Sequence, residues 1–470
     1  MLLIPTAART TPRHYWLLLT LALVAIKLCL VLVDPTQRFF LGDSESYLHS
    51  ALTGWVPPDR SFIYGLFVRA TAVWPGTLAG LLAAQSLCGV LTALLCARLA
   101  GTDLGVDRRA AALVALLVAV EPAQVFYERM VMAESAGTLC FVAMVSCGFG
   151  YLRRRAWPWL PAMALAGIMT VALRMSLLPV VLGFALLPPL VAAAEPGLHR
   201  SWRRVGAHLL VALTATAAAH SGYQQLYGYM YQSKAEYLHS SGTFRLGLVA
   251  PLVKPEHLVR EELSPQLLAS VGPALADPRM REAQLWLDDG LIAVLRRAAG
   301  EETERHARHI ASAALRDDPL GFLGLALLTT RDYFSPRETR ARMADDLGVR
   351  ALSESTLVTL RERLNYDATQ VHTQRNPTAR YFESAGNWLI LCLFALAPLA
   401  LIAALRVWSR RRSAALLLTL TALGLVAGQL LFSHIVSFRY LHPFAPLMLV
   451  CAAAAFTPPT RRRNGYEVLS

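Results

Sequence analysis

Asp43, Ser44 and Glu45 lie about ten residues beyond the first apolar run, 15–33, on the face of the membrane that the arginines of this chain avoid. Tyr47 follows, then Pro57-Pro58, then an apolar stretch from Ser61 to Trp74 that is too short to span a bilayer. A pair of carboxylates at the lipid–water boundary, on a segment that returns to the membrane, points to chemistry on a lipid-borne substrate. Three further stretches belong to the same face: Glu121 through Glu128-Arg129 to Glu134, then Arg174, then His434 through Arg439-Tyr440 to His442-Pro443. Ionisable groups at membrane depth are costly, so such residues are functional candidates by default.

These residue types suit glycosyl transfer from a lipid phosphate. A carboxylate can take the proton of an acceptor hydroxyl or amine, or orient it as nucleophile. The leaving phosphate needs fixed cations, and the planar guanidinium fork binds two of its oxygens while staying charged. Plainer explanations stand beside each residue. Asp43 could cap a helix beginning near Ser44. Glu121 could end a span before Pro122. Arg174 could be a snorkelling anchor, and Arg439-Tyr440 an interfacial belt pair. His306 and His309 read as the solvated face of a charged helix with Glu301, Glu302, Glu304, Arg305 and Arg308, not as a metal pair. What favours function is co-location of carboxylates and arginines on the face where arginine has no topological use.

The elements that must position these residues are membrane helices. The chain has 470 residues, 55% of them apolar, with mean hydropathy +0.42. The net charge of +13 is almost all arginine, since Lys27, Lys234 and Lys254 are the only lysines. Much of it lies in short loops, which is the positive-inside signal and excludes a nucleic-acid reading. Arg9, Arg13, Arg98, Arg108-Arg109, Arg153 to Arg155, Arg200, Arg203-Arg204, Arg406, Arg410 to Arg412 and Arg461 to Arg463 form the ladder. Placing them all inside predicts about ten spans: 15–33, 77–98, 109–126, 131–152, 157–173, 176–194, 205–227, 386–407, 413–433 and 440–457. Both termini are then cytoplasmic, and Ser61 to Trp74 is an interfacial helix on the outer leaflet.

The fold class expected is an all-α polytopic membrane protein with outer-face interfacial helices and a small helical extracytoplasmic domain. Its parts are 1–227, with a first outer loop over 34–76; the domain, 228–384; the C-terminal spans, 385–458; and a cytoplasmic tail, 459–470, that looks solvated. Within the domain, Ser264 to Val271 and Glu301 to Leu315 have helical spacing, and Leu320 to Leu328 is apolar but too short to cross. The seven cysteines all fall inside predicted spans and read as packing residues, not a disulfide framework or metal site.

On these residues the chain resembles the GT-C superfamily of membrane glycosyltransferases, in the branch of the protein O-mannosyltransferase-like enzymes and the lipid A aminoarabinose transferase. The shared order runs from Asp43 and Tyr47, through Pro57-Pro58 and the Ser61 to Ala70 helix, to the Pro…Tyr…Glu stretch Glu121 to Ser135. It continues with Arg174 on a short loop, Asp317-Asp318-Pro319-Leu320, and Arg439-Tyr440 with Pro443 and Pro446. The resemblance implies an inverting transferase that moves a sugar from a polyprenyl-phosphate-linked donor to a lipid, glycan or protein acceptor in the cell envelope. It implies a bacterial inner-membrane location with the active site on the extracytoplasmic face. The base role falls on Asp43, with Glu45 able to share it or to bind a metal. Donor phosphate contacts fall on Arg174, Arg439 and Tyr440. Acceptor or metal contacts fall among Glu121, Glu128, Arg129, Glu134 and His434. No cofactor is certain, though a divalent metal fits the chemistry. The partners are the lipid-linked sugar, the bilayer and the acceptor, with no nucleic acid.

Two alternatives remain. A ligase joining a lipid-linked glycan to a surface lipid would lean on His434 or His442 more than on Asp43. A non-enzymatic lipid or glycan transporter would show broken helices at mid-membrane and a repeat between halves.

Overall fold

The computed structural model describes residues 12–193, 202–348, 350–409 and 411–457. Arg9, Arg200, Arg410, Arg461 to Arg463 and the tail from residue 459 lie outside the described residues. Described residues form helices and no strand; the one isolated β-bridge pairs Arg38 with Met130 in parallel. The membrane part runs α1 (Pro12–Val33), α2 (Leu41–Thr53), α3 (Phe62–Val68), α4 (Leu78–Arg98), α5 (Arg108–Val120), α6 (Pro122–Tyr127), α7 (Glu134–Arg154), α8 (Trp159–Leu173), α9 (Leu178–Ala192) and α10 (Trp202–Tyr231). An inserted segment holds α11 (Ser241–Val249), α12 (Pro255–Val259), α13 (Ala283–Trp286), α14 (Leu291–Ala299), α15 (Thr303–Asp317), α16 (Pro319–Asp332), α17 (Pro336–Asp346), α18 (Glu354–Leu364) and α19 (Pro377–Ala385). The chain returns through α20 (Trp388–Val407), α21 (Arg412–Phe432), α22 (Phe438–Leu441) and α23 (Phe444–Phe456).

Among the described residues seven helices are long and apolar enough to cross a membrane, so this is a multi-pass membrane protein of all-α class. The count of about ten is not reached on length and composition. Three of the expected spans are not among the seven: α5 and α8 are only 13 and 15 residues long, and α10, long enough at 30 residues, is not apolar enough. The expected span 109–126 is broken, because Pro122 cannot donate to a continuing helix and starts a new one with Glu121 as its cap. The 61–74 stretch is helical over Phe62–Val73 and too short to cross, in line with its reading. Ser264 to Val271 forms 3₁₀ turns over Pro265–Ser270 instead of an α-helix, with Pro265 as its first residue and Pro273 soon after it.

One end of the bundle gathers arginines around residues 99–107. Arg153 pairs with Asp103 at 2.6 Å, Arg411 donates to the carbonyls of Thr102 and Asp103, and Arg108 lies over Tyr15. Helix α1 runs away from this end for about 33 Å at the ordinary rise, which brings Val33 and the chain beyond it to the opposite end. The inserted segment has a core of its own, built from Leu246, Leu285, Leu295 and Ile310 with their neighbours. There His306 and His309 both face Glu261 Oε2, at 3.0 and 3.1 Å. His306 is buried, so the solvated-face reading holds for His309 and not for His306. All seven cysteines are free.

Candidate functional site

Helix α2 begins immediately after the Arg38 bridge. Ser44 Oγ donates to the Val131 carbonyl at 2.9 Å and accepts from Phe40 N at 2.8 Å, which pins the first turn. Asp43 sits in that turn and points away from the pin. One of its carboxylate oxygens meets Arg60 Nη1 at 2.9 Å and the other meets Arg439 Nη1 at 2.8 Å. Arg60 stands just before the Ser61 cap of α3, lies over the Tyr47 ring, and also pairs with Asp59 at 2.5 Å. Arg439 lies over Phe40, 4.5 Å from the ring centroid, and over Tyr440, whose hydroxyl it approaches at 3.4 Å. Burial lifts the Asp43 carboxyl, but the two guanidiniums outweigh it and hold the group below the usual carboxylate range.

Arg174 reaches the same place from the turn between α8 and α9. Its Nη2 donates to the Arg439 carbonyl at 2.6 Å, while Nη1 is buried without a hydrogen-bond partner. It can lie flat across α7 only because residue 137 is glycine: a Cβ there would stand 2.6 Å from Arg174 Cγ. At 6% exposure Arg174 is no snorkelling anchor. Glu134, at the positive N-terminus of α7, is equally buried, and its Oε2 also has no partner. Asp43, Arg439, Tyr440, Arg174 and Glu134 therefore converge on one end of the bundle.

The other candidates go elsewhere. Glu45 accepts from Ser353 N and Oγ at 3.1 and 2.7 Å, so it latches α18 instead of sharing the Asp43 pocket. Glu121 spends one oxygen on Gln124 N at 2.6 Å and the other on Trp388 Nε1 at 2.8 Å. Glu128 takes Lys27 Nζ at 2.6 Å and Gln124 Nε2 at 2.8 Å on one oxygen. Gly89 makes room for it, since a Cβ there would be 1.9 Å from that oxygen. Arg129 donates to the carbonyls of Asp34, Val125 and Leu30, splicing α6 to the end of α1. His434 lends its carbonyl to Arg281 at 2.8 Å; burial pushes its ring down to about 4, so it is neutral near pH 7. His442 is held on both nitrogens, by Thr138 at 3.2 Å and Gln124 at 3.0 Å.

Arg60 and Asp346, not singled out from the sequence, and Tyr47, which was, complete the cluster. Arg60 was hidden because Asp59-Arg60 reads as a polar break ahead of a helix. Tyr47 stacks edge-on against Tyr64, which donates to Gln85 at 2.9 Å. Asp346, from the inserted segment, is buried against Tyr127. Among the described residues no group of three or more His, Cys, Asp or Glu side chains is placed to hold a metal ion. Both Asp43 oxygens are held by guanidiniums and Glu45 is bonded to Ser353, so the donor set does not fit a divalent metal.

Residues 57–221 match the family described as dolichyl-phosphate-mannose-protein mannosyltransferase. The match bears out the resemblance to the GT-C superfamily. It contains Arg60, Glu134 and Arg174 and stops short of Asp43 and Arg439. Two crystal structures of ArnT from Cupriavidus metallidurans are similar. The form bound to undecaprenyl phosphate is 15% identical, covers 92% of this chain and 77% of that chain, and superposes with a TM-score of 0.34. The apo form is 15% identical, covers 94% and 78%, and gives 0.33. No curated protein matches the sequence.

Proposed function

We propose that the chain is a glycosyltransferase that moves a sugar from a polyprenyl-phosphate-linked donor to an acceptor on the extracytoplasmic side of a bacterial inner membrane. The observation that carries this reading is the cluster of three arginines at one end of the bundle, one of which keeps a buried donor unspent. Arg60 and Arg439 meet the Asp43 carboxylate, with Asp59 and Glu134 beside them, and Arg174, bonded to the Arg439 carbonyl, still has a donor at Nη1 to give. Such a site has a guanidinium donor left for one more acceptor, and a phosphodiester supplies it with a geometry that guanidiniums match. The matched family's description names a donor of that chemical kind, dolichyl-phosphate-mannose.

Asp43 has two jobs in this reading. Without donor it holds Arg60 and Arg439 apart and aimed. When a phosphate draws those guanidiniums onto its own oxygens, the Asp43 carboxylate loses its partners and becomes a stronger base. It then takes the acceptor proton as the acceptor atom attacks the anomeric carbon, in one inverting displacement. The inserted segment, 228–384, roofs the charged end and keeps water from it, which strengthens each charge contact inside. The arginine-rich opposite end faces the cytoplasm. His434, held neutral, and His442, bonded on both nitrogens, support a centre at Asp43 over the ligase alternative.

Undecaprenyl phosphate is the probe that tests the arginine cluster. The purified protein should bind it, and Arg174→Ala should weaken binding about tenfold, the usual scale for one charge-assisted contact. Equal affinity of wild type and Arg174→Ala would remove the phosphate role.

A further inference from the structure

Helix α17 brings a carboxyl from the inserted segment into the site. Its last residue is Asp346, and the backbone just beyond is docked on the residues that lead into α2. The Leu347 carbonyl accepts from Arg38 Nη1 at 3.4 Å. Gly348, at φ +68°, presses on the Phe39 carbonyl so closely that a Cβ would stand 2.3 Å from it. Docking buries Asp346 to 3% exposure and puts its Oδ2 3.4 Å from the Tyr127 hydroxyl, a long contact. The charged and titratable groups facing it are Tyr127 from α6, Glu134 from α7, Arg439 from α22, Asp345 on its own helix, and Arg38 beyond Leu347.

We propose that Asp346, beside Tyr127 and in the field of Arg439, is the proton donor that serves the departing phosphate. The proposal rests on the transferase reading above. In the balanced step, the acceptor proton moves to Asp43 and the bond from acceptor to anomeric carbon forms. The bond from that carbon to the phosphate oxygen breaks, and its electron pair stays on that oxygen. The carboxyl proton of Asp346 follows onto it, so polyprenyl phosphate leaves as the monoanion. Asp43 ends protonated and Asp346 ionised, and exchange of one proton with water resets both.

The two carboxyls are prepared oppositely. Burial, aided by Glu134 and Asp345, lifts Asp346 to about 7 in spite of Arg439. Arg60 and Arg439 hold Asp43 down. Carboxyls pushed apart by their surroundings are how one site holds an acid and a base together. A phosphate monoester has its second pKa near ~6, so it leaves well unaided and the help from Asp346 is modest, about tenfold.

The test uses the full chain and undecaprenyl phosphate as probe, with affinity measured at about pH 6.5 and 8.5, either side of the Asp346 pKa. In wild type, Asp346 ionises between these values and repels the bound phosphate, so affinity should fall about tenfold. Asp346→Asn cannot ionise, and its affinity should change less than about twofold, since the probe's own titration near ~6 is common to both proteins. Tyr127→Phe removes a donor to the ionised carboxylate, raises its pKa, and should move the fall to higher pH; this variant decides the matter if Asp346→Asn does not fold. A wild-type fall retained in Asp346→Asn, or unmoved in Tyr127→Phe, overturns the proposal alone. Failure of the wild type to bind the probe at either pH overturns the transferase reading, and the proposal with it.

Discussion

Two buried polar clusters flank the same turn, and they differ in what they leave over. Around residues 121–129, Glu121 has both oxygens taken, Arg129 has three carbonyls, and Lys27 has Glu128 and the Ala119 carbonyl. Only Glu128 Oε2 is left over there. Around Asp43, Arg174 keeps a free nitrogen, Glu134 a free oxygen, and Asp43 remains 26% exposed on its side chain. The first cluster joins helices. The second keeps both a donor and an acceptor unspent, as the proposed binding site requires. Residue type does not separate them, since both are Arg, Glu and a neighbour; the count of unspent donors and acceptors does.

Mutation should split the two clusters by phenotype. The largest effect belongs to Asp43→Asn, which should lower transfer on the order of 10²–10⁴-fold with the protein still folded, because only a carboxylate can take the acceptor proton. Initial rates together with a thermal melt check it, and a near-wild-type rate would move the base elsewhere. Lys27→Met comes next and should act on stability. One buried partner without the other costs about 3–5 kcal/mol, whereas Lys27→Met with Glu128→Leu should recover most of the loss. A double variant as unstable as the single would mean that the pair does more than neutralise itself.

Glu45→Gln should have the smallest effect, about 1 kcal/mol or less from loosening the Ser353 latch at a partly exposed site. Burial lifts the Glu45 carboxyl, but bonds from Ser353 and Thr356 outweigh it and lower its pKa. Its contribution is thus present above the unfolded carboxylate pKa and lost as pH falls through the lowered folded value. Melting curves through that acid range should converge for wild type and Glu45→Gln; curves that stay apart would show a contribution that does not come from the charge.

The membrane frame was legible because apolar length and arginine placement are local properties. Asp43, Arg174 and Arg439 were legible for the same reason, as charges where topology has no use for them. Partner choice was not. Asp43 meets Arg439 across nearly the whole chain, and nothing near either residue announces the other. Glu121, Glu128 and Glu134 look equivalent within fourteen residues of sequence, yet one caps a helix, one neutralises a lysine and one faces the site with an oxygen to spare. Asp345-Asp346 reads as ordinary solvated charge until docking of α17 buries one of the two. The broken span at Pro122 was readable in principle, but apolar residues on both sides masked it.

Arg38 carries a consequence for how the molecule comes to exist. Its backbone bridges Met130, its guanidinium holds the carbonyls of Leu347 and Gln374, and it lies five residues from Asp43. Contacts this distant in sequence close last, and a chain is made from its N-terminus at roughly 5–20 residues per second. The first spans are therefore in the bilayer long before residue 374 leaves the ribosome, and Arg439 follows later still. The charged end is the final part of the molecule to mature, so a nascent chain can be threaded, helical and membrane-resident while it still has no site to expose to the lipids around it.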